Sequence, residues 1–167
     1  MEEIKNKVKE SGLVSIDLAD YEPKDQIEII DLSGQLWQGL VLKEKEFRNW
    51  IKSNDWKSYT DKVVLITCSS DAIIPAWAYM LVGTALQHYA KFYSNSTREE
   101  LIKQLIIAEI QKTDINKIKD ARVIVKGCSK IPYPDFAMLE LTKFLIPFVK
   151  SLMFGEPCST VPIYKKK

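Results

Sequence analysis

The sequence is poor in histidine and cysteine, two residue types that are common in catalytic sites. Its 167 residues contain one histidine, His88, and three cysteines, Cys68, Cys128 and Cys158. His88 comes 13 positions after Pro75, at the far end of a predicted helix and away from the cysteines. A Ser-His-Asp or Cys-His nucleophile pair is therefore not expected. Neither a P-loop nor a GxGxxG pattern occurs, which argues against a conventional nucleotide site.

The chain also lacks a strong charge and a long apolar run. Its formal net charge is +2, too small to predict binding to nucleic acid or to a membrane surface. No apolar stretch approaches the roughly 20 residues of a transmembrane helix, and the charged start, MEEIKNKVKESG, has no signal-peptide core. We therefore expect a cytoplasmic protein, in which the three cysteines are poor candidates for disulfides.

What the sequence does contain is an alternation of strand and helix patterns. Helices are predicted over 2–10, 43–53, 75–89, 96–112 and 134–147, where proline or a capping hydroxyl opens several of them. Strands are predicted over 13–18, 26–32, 62–68, 91–94, 121–128 and 151–155, with 36–42 as a further strand or a turn. This order predicts a single α/β domain over 1–167, with a mainly parallel or mixed central sheet and an N-terminal β-rich extension.

One part of this pattern occurs twice, approximately over 55–94 and 114–155. The aspartates before the strand of each copy are 59 positions apart, Asp55 with Asp114 and Asp61 with Asp120. The letters PAWA in the first copy are followed after the same interval by PDFA in the second. The pattern predicts a duplicated β-loop-α-β unit, which is typical of α/β folds with a mainly parallel sheet.

All three cysteines stand in Cys-Ser pairs at the ends of predicted strands or shortly after them. Ligands of open α/β sheets bind beyond the carboxyl ends of the strands. If the strands are parallel neighbours, we expect Cys68, Cys128 and Cys158 to converge at one sheet edge. Three thiolates favour a soft metal, so the sequence predicts a site for zinc or an iron–sulfur cluster.

Three thiolates leave one position of such a site to be filled. The fourth ligand is Asp71, in CSSD, or Glu156, in GEPC; alternatively, water, a substrate or another protein's ligand fills the position. An open position suits trafficking or catalysis better than a purely structural role. Ser69, Ser129 and Ser159 are expected to form hydrogen bonds around the site.

Two other interpretations remain open. In the first, Cys68 is the nucleophile of a thiol enzyme that handles a persulfide or another electrophile, activated by the helix that begins at Pro75. In the second, the cysteines are small buried residues of an interaction module without chemistry. The thiol enzyme requires one exposed reactive thiol, whereas the metal site requires three thiols close together.

Five segments carry a resemblance to a known family. They are GLVSIDLADYEPK, WQGLVLKEKEFR, TCSSDAIIPAWAYML, VKGCSKIPYP and MFGEPCSTVPIYK. Together they resemble, over nearly the whole chain, a family of small proteins from Bacteroidetes catalogued as domain of unknown function 2480. The resemblance implies a cytosolic α/β domain with no established activity. It also implies iron–sulfur assembly proteins as partners, because members are encoded close to such genes, and it leaves self-association open.

Overall fold

The structure is a computed structural model that describes residues 12–127, 130–156 and 158–167. In these ranges the chain forms nine strands and five helices, so the predicted α/β class is confirmed. The strands are β1 Leu13–Asp17, β2 Ile27–Asp31, β3 Leu36–Trp37, β4 Val41–Leu42, β5 Val63–Thr67, β6 Phe92–Ser94, β7 Arg122–Lys126, β8 Ser151–Glu156 and β9 Ser159–Lys165. The helices are α1 Glu44–Ser53, α2 Ala76–Leu86, α3 Arg98–Gln111, α4 Ile115–Ile118 and α5 Pro134–Leu145.

The strands form two main sheets where the sequence led us to expect one central sheet. Sheet A has the order β1-β7-β8-β9, with β1, β7 and β8 parallel and β9 antiparallel to β8. Sheet B has the order β2-β5-β6 and is parallel throughout. Strands β3 and β4 form a short hairpin. The predicted N-terminal extension therefore supplies the first strand of each main sheet.

The chain divides into two compact units. Unit 1 contains the residues up to Pro23 together with Ile102–Lys167, and unit 2 contains Lys24–Leu101. Sheet A belongs to unit 1 and sheet B to unit 2. A single domain over 1–167 stays a prediction.

The core of unit 1 forms between α5 and sheet A. Ala137, Leu141 and Leu145 recur every fourth position along α5, so they lie on one face of the helix, and all three are fully buried. They share an apolar cluster with Val123 of β7 and Leu152 of β8. The spacing of apolar residues thus fixes which face of the helix covers the sheet.

Unit 2 has a core of the same kind. Ala78, Val82 and Leu86 form the buried face of α2, and they share a cluster with Val64 and Ile66 of β5. Four buried residues from outside α2 and β5 complete this cluster: Ile30, Leu32, Phe47 and Trp56.

Both halves of the proposed repeat show strand, helix and strand in the predicted order. Asp61 and Asp120, which are 59 positions apart, both have positive φ, at 59° and 55°. The Asp61 N–H donates to the carbonyl of Tyr89 at 2.9 Å, and the Asp120 N–H donates to that of Phe148 at 2.8 Å. The duplication itself stays a prediction.

Most predicted helices and strands are confirmed, with ends shifted by a few residues. Thr97 opens α3, because its hydroxyl accepts the Glu100 N–H at 3.2 Å while the Glu100 carboxylate accepts the Thr97 N–H at 2.8 Å. Sequence reasoning missed β9, α4 and the 3₁₀ turns, and the predicted helix over 2–10 lies outside the described residues. In the part of the chain that the structure describes, no helix is long and apolar enough to cross a membrane.

Candidate functional site

An acidic residue at the carboxyl edge of sheet B is held by hydrogen bonds. Strand β2 ends at Asp31, which pairs in register with Thr67 at the end of β5. Asp31 Oδ1 accepts the Ser33 N–H at 2.9 Å and the Ser69 N–H at 3.0 Å. The hydroxyl oxygens of Ser33 and Ser69 are 3.1 Å apart. Asp31 therefore ties the loop after β5 to the turn after β2.

These hydrogen bonds stabilise the ionised form of Asp31. The Ser69 hydroxyl has the largest effect, followed by the backbone N–H groups of Ser33 and Ser69, and together they hold the pKa of Asp31 well below its usual range. Donors that bind the carboxylate favour it over the neutral acid. The carboxylate is thus a charged anchor of the loop that contains Cys68 and Ser69.

We expect the stabilising effect of Asp31 to depend on pH. The native pKa lies below the value of about 3.9 for an unfolded aspartate, so the contribution is complete above about pH 5 and is lost as the pH falls through the native pKa. Asp31→Asn should destabilise unit 2 at pH 7. The difference in free energy of unfolding between this variant and wild type should become smaller towards pH 2. Urea unfolding across this range measures the effect.

Asp55→Asn is the control, because the Asp55 carboxylate forms no capping hydrogen bond. Its free energy of unfolding should stay close to that of wild type over the same pH range. A difference for Asp31→Asn that is constant with pH would contradict the proposed anchoring charge.

Cys68 directly follows β5, one residue beyond the strand end, whereas the sequence predicted it as the last residue of the strand. Its thiol is half-buried beside the core of unit 2 and donates to the carbonyl of Ser70 at 3.5 Å. The side chain of Asp71 is exposed. Helix α2 begins at Ala76, eight residues after Cys68.

Cys158 lies in the turn of the β8–β9 hairpin. It is an exposed, free cysteine. Glu156 is the last residue of β8 and pairs with Ser159, the first residue of β9, and both are exposed. Cys158, Glu156 and Ser159 are thus close together at one end of the hairpin. Cys128 and Ser129 lie outside the described residues.

We expected the three cysteines to converge if the strands that precede them are parallel neighbours. This holds for two of the three strands. Cys128 and Cys158 follow β7 and β8, which are parallel neighbours in sheet A. Cys68 follows β5, which belongs to sheet B. Among the described residues, no group of three or more histidine, cysteine, aspartate or glutamate residues is placed to hold a metal ion. Convergence of all three cysteines stays a prediction.

A cleft in unit 2 was not foreseen from the sequence. It has a volume of about 580 Å³ and lies between α2 and β6, beside the end of β5. It is lined by Ile66, Tyr79, Met80, Gly83, Thr84, Gln87, Tyr93, Ser94 and Asn95. Met80, one of the residues that line the cleft, is 71% exposed. The available signal was the pair Met80 and Thr84, spaced by four residues outside the buried face of α2.

Tyr79 connects this cleft to Cys68. Burial raises the pKa of the Tyr79 phenol, and the negative charge of a Cys68 thiolate would raise it further. The Tyr79 side chain, which lines the cleft, therefore lies within range of an electrostatic interaction with Cys68.

One comparison with known proteins assigns the chain to a family. The model of a family described as protein of unknown function (DUF2480) matches residues 2–166. The chain belongs to this family. The resemblance seen in the five sequence segments is thereby confirmed, and it covers essentially the whole chain. Comparisons with curated proteins and with solved structures returned no match.

Proposed function

We propose that this protein binds a soft metal ion or an iron–sulfur cluster through its cysteines and acts in cluster assembly or carriage in the cytoplasm. The register of β7 and β8 carries the proposal. These parallel neighbours pair from Arg122↔Ser151 to Val125↔Phe154. In the sequence, Cys128 is the second residue after β7 and Cys158 is the second after β8.

The chemistry of the end of the hairpin supports this assignment. Thiolates are the preferred ligands of zinc and of iron–sulfur clusters. Cys158 is exposed and free, so a metal ion or a partner protein can reach it. Glu156, two residues before it and also exposed, offers a carboxylate as a further ligand. An exposed site suits a protein that passes its metal to iron–sulfur assembly partners.

The remaining ligands are part of the proposal. Cys68 would be the third thiolate, and Asp71, which is exposed, is the alternative to Glu156 as an occasional fourth ligand. Ser69, Ser129 and Ser159 would donate hydrogen bonds to the ligand sulfurs. The Ser69 N–H donates to Asp31 and its hydroxyl donates to Oγ of Ser33, so Ser69 would have to give up one of these partners to donate to a ligand sulfur.

A thiol enzyme that uses Cys68 is the weaker alternative. A nucleophilic cysteine must be a thiolate. The Cys68 thiol is half-buried, and its proton is engaged with the carbonyl of Ser70. Both features oppose the exposed reactive thiol that this interpretation requires.

Metal analysis of single variants tests the proposed site. Wild-type protein reconstituted with iron and sulfide without oxygen, or loaded with zinc, should bind about one metal ion or cluster per site. Cys128→Ser and Cys158→Ser should each lower the bound metal about tenfold or more, because loss of a ligand weakens such sites strongly. Elemental analysis and visible absorption measure the occupancy.

Two further variants locate the site. Cys68→Ser should lower the occupancy as strongly as the other two if Cys68 is the third ligand. His88→Ala is the control and should leave occupancy intact, because His88 follows α2 at the end remote from Cys68 in the sequence. Wild-type protein that stays colourless and metal-free would contradict the proposal and favour the interaction module.

A further inference from the structure

The cleft in unit 2 has a lining suited to a particular kind of small molecule. Its volume of about 580 Å³ falls in the usual range for ligand sites. It lies beside Ile66 of β5 and Ser94 of β6, near the carboxyl ends of two parallel strands. Open parallel sheets bind ligands at this edge. We propose that the cleft binds an uncharged, planar heteroaromatic compound, independently of the cysteine site.

One wall of the cleft is a tyrosine ring held in a fixed position. A Cβ atom at Gly83 would lie 3.4 Å from Cε2 of Tyr93, an ordinary van der Waals contact, so the ring packs against α2 at Gly83. The Tyr93 hydroxyl donates to Oε1 of Gln87 at 2.6 Å. A ring that is already held in place loses little conformational entropy when a ligand stacks on it.

The lining selects against charged ligands. The nine residues that surround the cleft include two tyrosines, one methionine and one isoleucine, and none of these nine described residues is charged. A charged group that leaves water for such a surface would have no counter-ion, and its transfer would be unfavourable. An uncharged ring, by contrast, gains from contact with apolar and aromatic side chains.

Polar groups along the lining explain why a heteroaromatic ring fits better than a hydrocarbon. Because Oε1 of Gln87 accepts from Tyr93, the Nε2 group of Gln87 remains available as a donor. Tyr79 and Asn95, which carry a hydroxyl and a carboxamide, are also among the residues that line the cleft. Amide and hydroxyl groups complement ring nitrogens and ring carbonyls, which occur together in purines, pyrimidines and flavins.

Riboflavin is a suitable probe, because it is uncharged and planar and its fluorescence decreases when it stacks on an aromatic side chain. Titration of the full chain into riboflavin should quench this fluorescence with a Kd below about 1 mM, and equilibrium dialysis should give the same Kd. Tyr93→Leu should weaken binding about tenfold or more, because loss of one stacking side chain has an effect of this size.

Thr84→Arg provides a second variant that should retain the fold. Thr84 is exposed on α2, and an arginine there would place a long cation in the cleft, so binding should again fall about tenfold or more. Tyr164→Leu and Gln104→Arg are matched controls at positions outside the cleft lining. Both controls should bind riboflavin with the same Kd as the wild-type protein. The proposal would be overturned if the wild-type protein did not bind riboflavin, or if the variants and the controls lost affinity for it to the same extent.

Discussion

Phe47→Ala should lower the free energy of unfolding by about 3–5 kcal/mol, the usual cost of removing a buried phenylalanine ring. Phe47 is 1% exposed and belongs to the core of unit 2. Its ring centroid lies 5.2 Å from that of Trp50 and 5.6 Å from that of Trp77, the latter in an edge-to-face arrangement. Alanine would remove these aromatic contacts and leave a cavity between α1 and α2.

Urea unfolding followed by tryptophan fluorescence measures this loss, because Trp50 and Trp77 lie next to the cavity. Ile73→Ala is the control: Ile73 is also a large apolar residue of unit 2, but it is 92% exposed. Its free energy of unfolding should differ from that of wild type by about 0.5 kcal/mol or less. A loss below about 1 kcal/mol for Phe47→Ala would mean that the surrounding side chains collapse into the space.

The elements that sequence reasoning located well are those whose signals are local. Runs of β-branched residues marked β5 and β7. Proline at the first turn of α5 marked a helix start in the same way. These signals depend only on the chain within one element, so the fold of the rest of the chain does not alter them.

The division into two sheets could not be read from the sequence, because strand pairing is not local. Strands β1 and β7 pair across more than a hundred residues, and nothing in either strand specifies its partner. Strand β9 was missed for a related reason. It contains Pro162, which argues against a central strand, yet proline is compatible with an edge strand such as β9.

The candidate sites show the same limit. The position of Cys68 at the carboxyl end of β5 followed from the strand pattern alone, whereas the hydrogen bonds of Asp31 to Ser33 and Ser69 required the pairing of β2 with β5. Prediction of the cleft would have required further tertiary information, because the cleft depends on the contact of Tyr93 with Gly83, which lies ten residues earlier on a different element. Sequence patterns thus indicate which residues end a strand, and the tertiary fold decides which of them meet.

Gly155→Ala should lower the free energy of unfolding by about 2–4 kcal/mol, since a strained backbone conformation and a steric clash act together. Gly155 has φ of +118°, a region that residues with a side chain rarely adopt. A Cβ atom there would lie 2.5 Å from the carbonyl oxygen of Ser159. This oxygen belongs to β9, which pairs with β8 through Gly155↔Thr160 and Glu156↔Ser159, so it cannot move away without disturbing the hairpin.

Gly34→Ala is the matched control, because a Cβ atom at Gly34 would meet no atom within 4 Å and its φ is not positive. Its free energy of unfolding should change by about 0.5 kcal/mol or less. The Gly155 variant also bears on the proposed metal site, because Cys158 lies in the turn of the same hairpin. If Gly155→Ala remains folded, its metal occupancy should fall below that of Gly34→Ala. Equal stability of the two variants would show that the hairpin tolerates a side chain at Gly155, and that the geometry of the turn is not fixed by this glycine.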